Sequence, residues 1–303
     1  MKSGKFNILV LDGGGSKGMY TLGVLKEIEK YIDKNLSQHF DLIYGTSTGS
    51  IIAALIAIGK SIEDIRSLYV KLIPDIMGKF TANGKSKILK STGDKIFEGF
   101  DFTNLRTDIG IVALNNRTKE PFIFKSNILQ AHGMLHSFNP GFGCSLTEAV
   151  LSSSAAYPIF KKVVVKTSNS EEVELVDGGF VANNASLYAL IDAIKAFKIN
   201  QQNIRLLNVG TGQFIEKPVL LQKITQTIPA VKFFTQVFTA STNTNAKLKD
   251  LVFPDVASVR INETFADIEI NMVEKNINRL NEIYQLGRKS FGKKENEIRK
   301  LFE

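Results

Sequence analysis

The apolar and polar positions of this chain fall first into a short continuous run and then into a helical repeat. FNILVL, residues 6–11, is a short apolar run closed by the glycines of DGGGSKG, the pattern of a buried strand. MYTLGVLKEIEKYIDK follows, with Leu22, Leu25, Ile28 and Ile32 at helical spacing between lysines and glutamates. FDLIYG, TSTG and SIIAALIAIG then repeat the same grammar over residues 40–59. This second helix is apolar nearly all round, so it belongs between other elements. Two successive strand–turn–helix units predict a parallel sheet covered by helices, an α/β domain.

Further along, DIGIVAL and PFIF read as strands around the loop NNRTKEP, and KKVVVK and EEVELV as a hairpin around TSNS. A helix is expected over 187–197 and a strand at IRLLNVGTG, residues 204–212. Ile277, Leu280, Ile283, Tyr284 and Leu286 mark an amphipathic helix near the end. Over 75–99, glycine, serine, threonine, asparagine and lysine accumulate and periodicity fades, which predicts a mobile surface excursion, either a lid over a site or a plain solvated loop. The expected layout is one domain, 1–303: an α/β core over 7–212 carrying the insert at 75–99, then a mainly helical part over 213–303.

Composition narrows the class. With 44% hydrophobic residues in 303, the chain has material for a sizeable core. A lone cysteine, Cys144, rules out an intramolecular disulfide and suits a reducing compartment. The apolar run at 51–58 is far short of the roughly 20 residues of a membrane span. A soluble, cytoplasmic protein is therefore expected. The formal charge of +8 favours anionic partners. No zinc-finger spacing, RNA-binding strand or dense basic run accompanies it, so no nucleic-acid polymer is expected and an anionic membrane surface is the more natural partner.

The candidate chemistry starts at Ser47. Gly45-Thr46-Ser47-Thr48-Gly49 fits Gly-x-Ser-x-Gly between a strand and a helix, a turn that exposes the serine oxygen. Gly45 and Gly49 leave room for the tight turn, and the helix that follows offers N–H groups to a developing negative charge. A serine needs a base. The chain has only His39, His132 and His136, all before the best-placed acid, Asp177, whereas an α/β-hydrolase presents serine, acid and histidine in that order. Asp101 or Asp108 could restore the order, but AHGMLHSF gives its histidines no strand-end placement. Asp177, ahead of Gly178 and Gly179, is the alternative base, provided that it is desolvated. In a parallel sheet, carboxyl ends of strands converge on one crevice, which lets Ser47 and Asp177 meet.

DGGGSKG also satisfies Gly-x-Gly-x-x-Gly, but no acid stands cleanly where dinucleotide binding wants one, and Gly18 and Met19 break a Walker A loop. A sugar-kinase phosphate loop, with the later GTG as its partner, leaves Ser47 and Asp177 unused. For acyl transfer, the N–H groups of Gly13, Gly14 and Gly15 could bind an oxyanion, with Lys17 and Gly18 completing the loop.

The blocks DGGGSKG, GTSTG, LSSSAAYPIF and DGGFVANN resemble, in order and spacing, the patatin-like phospholipases, and LLNVGTG and the tail SVRINETF extend the likeness over most of the chain. The resemblance implies a three-layer α/β/α fold and a serine–aspartate dyad without histidine, metal or cofactor. Ser47 would be the nucleophile, Asp177 the proton acceptor, and Gly13, Gly14 and Gly15 the oxyanion hole. The implied substrate is a phospholipid or other lipid ester. It also allows a latent membrane effector switched on by a nucleotide signal or a partner. Lys17 stands where the family usually has arginine, and the 75–99 insert has no placed counterpart.

Overall fold

The computed structural model describes residues 4–132, 138–214 and 229–303. Its strands are β1 (Phe6–Leu11), β2 (Leu42–Thr46), β3 (Asp108–Asn115), β4 (Pro121–Lys125), β5 (Val163–Lys166), β6 (Glu172–Asp177), β7 (Ile204–Val209), β8 (Gln213–Phe214), β9 (Ala257–Ile261) and β10 (Thr264–Phe265). The helices are α1 (Gly18–Ile32), α2 (Leu36–His39), α3 (Thr48–Ala57), α4 (Ile62–Met77), α5 (Ala82–Ile96), α6 (Leu146–Ser153), α7 (Gly179–Ala182), α8 (Ser186–Ile191), α9 (Pro229–Val252) and α10 (Ile277–Phe302).

Strands β3, β2, β1, β7 and β9 lie side by side and parallel, while β4 and β6 pair antiparallel with β3, and β5 with β6. The sheet is mixed but mostly parallel. Alternation along β1 shows why helices must cover both faces: Leu9 and Leu11 join one core, Ile8 and Val10 the other. The first core is closed by α1, α3, α4, α6 and α10, the second by α8 and its π-helical extension over 192–196. The result is the expected three-layer α/β/α arrangement. No described helix is long and apolar enough to cross a membrane.

One expectation changes. The excursion over 75–99 is helical: α4 runs to Met77 and α5 occupies Ala82–Ile96, capped by the Thr81 hydroxyl, which accepts from the Gly84 N–H at 3.0 Å. Ile88, Leu89, Thr92 and Ile96 sit at helical spacing, but glycine and polar residues mask them, and none of the helix is fully buried. The C-terminal part consists mainly of α9 and α10, and its strand β9 extends the central sheet beside β7.

Helices α1 and α10 cross unusually closely. A Cβ on Gly23 would lie 2.0 Å from the Tyr284 carbonyl oxygen, and one on Gly287 would lie 2.1 Å from that of Tyr20. Gly23→Val should therefore force the helices apart and lower stability by about 3 kcal/mol, read as a reduced midpoint in urea unfolding. An unchanged midpoint would show that the crossing does not need the glycine.

Candidate active site

The site is built where β2 turns into α3. Ser47 has φ 54° and ψ −123°, a left-handed strain that a non-glycine residue adopts only when its surroundings impose it. The impositions are visible. A Cβ on Gly45 would fall 2.4 Å from the Gly49 carbonyl oxygen, and one on Gly49 would fall 2.2 Å from that of Leu11. The Ser47 N–H donates to Ser153 Oγ at 2.9 Å, and that hydroxyl donates on to the Val112 carbonyl. Ser50 binds the Ser47 carbonyl oxygen through both its N–H and its hydroxyl, at 2.9 and 2.7 Å. Thr46 Oγ1 donates to the Ala182 carbonyl at 2.7 Å.

Asp177 reaches this turn by a route that a parallel sheet does not offer. Strand β6 starts beyond the carboxyl end of β3 and runs back along it, so that Asp177 pairs with Ala113, next to the Val112 that pairs with Thr46. The carboxylate thus arrives beside Ser47 from the opposite direction. Gly178 then has no room for a side chain, since a Cβ would meet the Val112 carbonyl at 2.2 Å. The end of α6 holds the turn, as Asp177 N–H donates to the Ala155 carbonyl at 3.1 Å and Gly178 N–H to that of Ser153 at 3.4 Å.

Ser47 Oγ donates to Asp177 Oδ2 at 2.8 Å, and Asp177 Oδ1 accepts from the Gly179 N–H at 2.8 Å. Asp177 is fully buried and has no ion pair among the described residues. Burial raises its pKa to about 7, against the opposing pull of the Gly179 N–H and the Ser47 hydroxyl. A hydroxyl in contact with a carboxyl group that titrates near neutrality is a pair that can exchange a proton.

The glycine loop lies across the same spot. Gly15 has φ +59°, and a Cβ there would fall 2.2 Å from the Met272 carbonyl oxygen, which accepts from the Ser16 N–H at 2.9 Å. Gly14 is pressed on Thr211. The Gly13 N–H donates to the Asn183 carbonyl at 3.2 Å, so of the three expected donors only Gly14 and Gly15 keep N–H groups without an acceptor among the described residues. Asp12 anchors the loop, its Oδ2 against Arg260 Nη2 at 2.8 Å and its Oδ1 accepting from Asn208 Nδ2 at 2.9 Å. Lys17 stands 5.9 Å above the Phe214 ring. Gly18, the first residue of α1, packs on Thr48, the first of α3, so two helix N-termini converge beside Ser47. The Gly179 Cα packs against the Phe238 ring.

Sequence reasoning missed three participants. Thr48 follows the serine, and its N–H at the start of α3 has no acceptor among the described residues. Tyr69 of α4 donates to the Thr48 carbonyl at 3.0 Å, and burial pushes its phenol well above the usual range. Ser153 holds the Ser47 N–H. The first is readable as the residue after a Gly-x-Ser-x-Gly serine; hydroxyls arriving from other helices leave no spacing signal. The described histidines lie elsewhere: His39 packs edge-on against Phe40 and Phe302, and His132 Nε2 lies 2.6 Å from Asp192 Oδ1. His136 lies outside the described residues. Asp101 caps its own turn through Thr103, and Asp108 binds Ser126 and Asn127.

Ser47 and Asp177 open onto a cavity of about 100 Å³ whose walls are apolar, among them Ile51, Leu72, Ile76 and Leu89. A second apolar cavity of about 30 Å³ shares Ile51, Tyr69, Leu72 and Leu89 and continues between α4, α5 and α6.

Residues 9–190 match a family model described as patatin-like phospholipase. The chain is 42% identical over 297 residues to the cUMP-AMP-activated phospholipase of Escherichia coli, covering 97% of this chain and 93% of that one. It is 29% identical over 248 residues to a cGAMP-activated phospholipase, also of Escherichia coli, covering 72% of this chain and 66% of that one. Among solved structures, VipD from Legionella pneumophila aligns with a TM-score of 0.50 at 13% identity, over 95% of this chain and 66% of that one, a likeness of fold.

The pKa of Asp177 sets two pH dependences. An unfolded carboxyl titrates near 4, so between about pH 4 and 7 the folded chain keeps a proton that the unfolded chain has lost. This group's contribution to stability is therefore greatest below about pH 4 and declines as pH rises to about 7. Asp177→Asn should abolish that decline in unfolding measured across the range. With Asp177 in the role of base expected from the sequence, log kcat/KM on a p-nitrophenyl acyl ester should rise with pH and level off above about 7. A plateau reached near pH 4 would contradict the assigned environment.

Proposed function

The chain belongs to the patatin-like phospholipase family, and on that premise we propose that it is a lipid acyl hydrolase of the phospholipase A type working through Ser47 and Asp177. The observation that carries this reading is the 2.8 Å hydrogen bond from a strained serine to a buried carboxylate at the floor of an apolar cavity. Ser47 Oγ attacks the ester carbonyl carbon while its proton passes to Asp177 Oδ2. The carbonyl oxygen becomes an oxyanion facing the N–H groups of Gly14, Gly15 and Thr48 and the two helix N-termini. The carbon–oxygen bond to the leaving alcohol then breaks, the alcohol takes the proton from Asp177, and an acyl-serine remains. Water repeats the sequence: Asp177 removes its proton, its oxygen adds to the acyl carbon, and fatty acid leaves as Ser47 regains the proton. No cofactor enters these steps.

The apolar cavities suit the acyl chain, and the α4–α5 turn suits the membrane. Phe80 is fully exposed three residues beyond the cavity-lining Met77, between the exposed Lys79 and Lys87. An exposed aromatic ring flanked by ammonium groups fits the interface of an anionic bilayer. Activation by a cyclic dinucleotide, stated in the names of both Escherichia coli relatives, extends to this chain on the strength of the 42% identity.

The dyad is tested with purified chain on mixed phospholipid vesicles and a p-nitrophenyl ester, with and without cyclic UMP–AMP. Ser47→Ala and Asp177→Asn should each cut turnover about a thousandfold or more while circular dichroism stays unchanged. Near-normal turnover in either variant would sink the assignment. For the membrane contact, Phe80→Ala should lower partitioning onto phosphatidylserine-containing vesicles about tenfold in co-sedimentation. Equal partitioning would place the docking surface elsewhere.

A further inference from the structure

The glycine loop separates two cavities. On one side lies the apolar catalytic cavity, which Gly15 and Ser16 line. On the other is a larger cavity of about 220 Å³, lined by Gly13, Gly14 and Lys17 together with residues of α9 and of the segments after β7 and β9. Its walls mix polar side chains with Phe214, Phe238 and Met272, and the acyl-transfer chemistry uses none of those side chains.

Two amides in its wall present donors. Asn262 Oδ1 is taken by the Gly212 N–H at 2.9 Å and Asn243 Oδ1 by Gln213 Nε2 at 3.4 Å, so both residues present their amide N–H groups without a protein acceptor among the described residues. Lys17, also in the wall, brings a positive charge 5.9 Å above the Phe214 ring. The one carboxylate in the wall, Asp12, is compensated by Arg260 and Asn208. Donors and one cation facing a cavity select a ligand rich in acceptors and negatively charged. A phosphodiester carrying nucleobase carbonyls has that chemistry. Thr239 and Asn243 are exposed at the rim, so the cavity opens to solvent and a ligand larger than its volume can extend outward.

We propose that this cavity binds one nucleotide unit of a cyclic dinucleotide and thereby sets the position of the glycine loop in the catalytic cavity. The inference rests on the hydrolase reading above and gives its activation a place. The coupling is short. Gly14 faces the polar cavity and Gly15 the catalytic one, so a ligand that fixes Gly14 and Lys17 fixes the peptide whose N–H groups face the oxyanion. Met272 and Phe238 line both cavities, and the Met272 carbonyl holds Ser16. One further contact is under tension. Asn183 is buried against Gly13, its Nδ2 bonded to the Gly13 carbonyl and Thr242, yet its Oδ1 has no partner among the described residues. A buried acceptor left unpaired disfavours the present loop position and favours one in which it is met.

The test uses full-length Ser47→Ala protein, in which binding is read without turnover, and cyclic UMP–AMP as probe in titration calorimetry. Asn243→Asp and Asn262→Asp keep side-chain shape but remove a donor and add a negative charge; each should weaken binding about tenfold or more. Thr239→Trp, at the exposed rim, should block the cavity while leaving the thermal midpoint unchanged, which covers the case where an asparagine variant fails to fold. Hydrogen exchange should slow over residues 12–18 when the probe binds. Absence of binding by the parent, binding within twofold in all three variants, or protection confined to other segments would overturn the inference. Absence of binding alongside Ser47-dependent hydrolysis would overturn the cavity assignment alone. Hydrolysis indifferent to Ser47→Ala would instead remove the hydrolase reading, whatever the binding data show.

Discussion

Asp177 is a fully buried carboxylate with a serine hydroxyl and one amide N–H for company, and the site's construction follows from keeping it so. A carboxylate in water near its ordinary pKa is too weak a base for a serine. Desolvation alone raises its basicity, at a cost in stability that the surrounding sheet has to carry. The antiparallel return of β6 supplies that enclosure. It brings Asp177 in beside β3 and next to the residues that follow α6, where among the described residues its side chain accepts from the Ser47 hydroxyl and the Gly179 N–H alone.

The strain at Ser47 belongs to the same constraint. A relaxed backbone would turn the hydroxyl away from Asp177, and it is held by bonds from several segments at once: Ser153 on its N–H, Ser50 on its carbonyl, and Gly45 and Gly49 packed where no side chain fits. Two helix N-termini then face the place where negative charge develops, and the glycine loop closes over it from β1. The central parallel strands fix the height of these parts, while the antiparallel hairpin fixes the carboxylate.

Much of this was legible before any coordinates. Ser47 stood out because Gly-x-Ser-x-Gly fell between an apolar run and a helix, and Asp177 because two glycines followed a strand. The continuous apolar run of Ile8, Leu9, Val10 and Leu11 marked a buried strand, and two strand–turn–helix units implied a sheet covered by helices. What could not be read has physical reasons. Pairing direction is not encoded in a strand's own pattern, so the antiparallel course of β6 was invisible and the meeting of Ser47 with Asp177 was expected for a different reason. Helix α5 hid behind Gly84, Gly93 and its lysines, since a helix that buries no residue fully carries a weak periodic signal. Ser153 and Tyr69 act through contacts between distant elements, which no local spacing announces. The Gly13 N–H looked free in the sequence and is claimed by the Asn183 carbonyl, a bond that only the tertiary fold reveals.

The central claim is that the buried carboxylate makes Ser47 reactive, and its most direct measurement is the rate of labelling by a fluorophosphonate probe, with the adduct located by peptide mass spectrometry. The account expects one adduct, on Ser47, and labelling slowed about a hundredfold or more in Asp177→Asn. An adduct on another residue, or equal labelling of Ser47 in that variant, would contradict it.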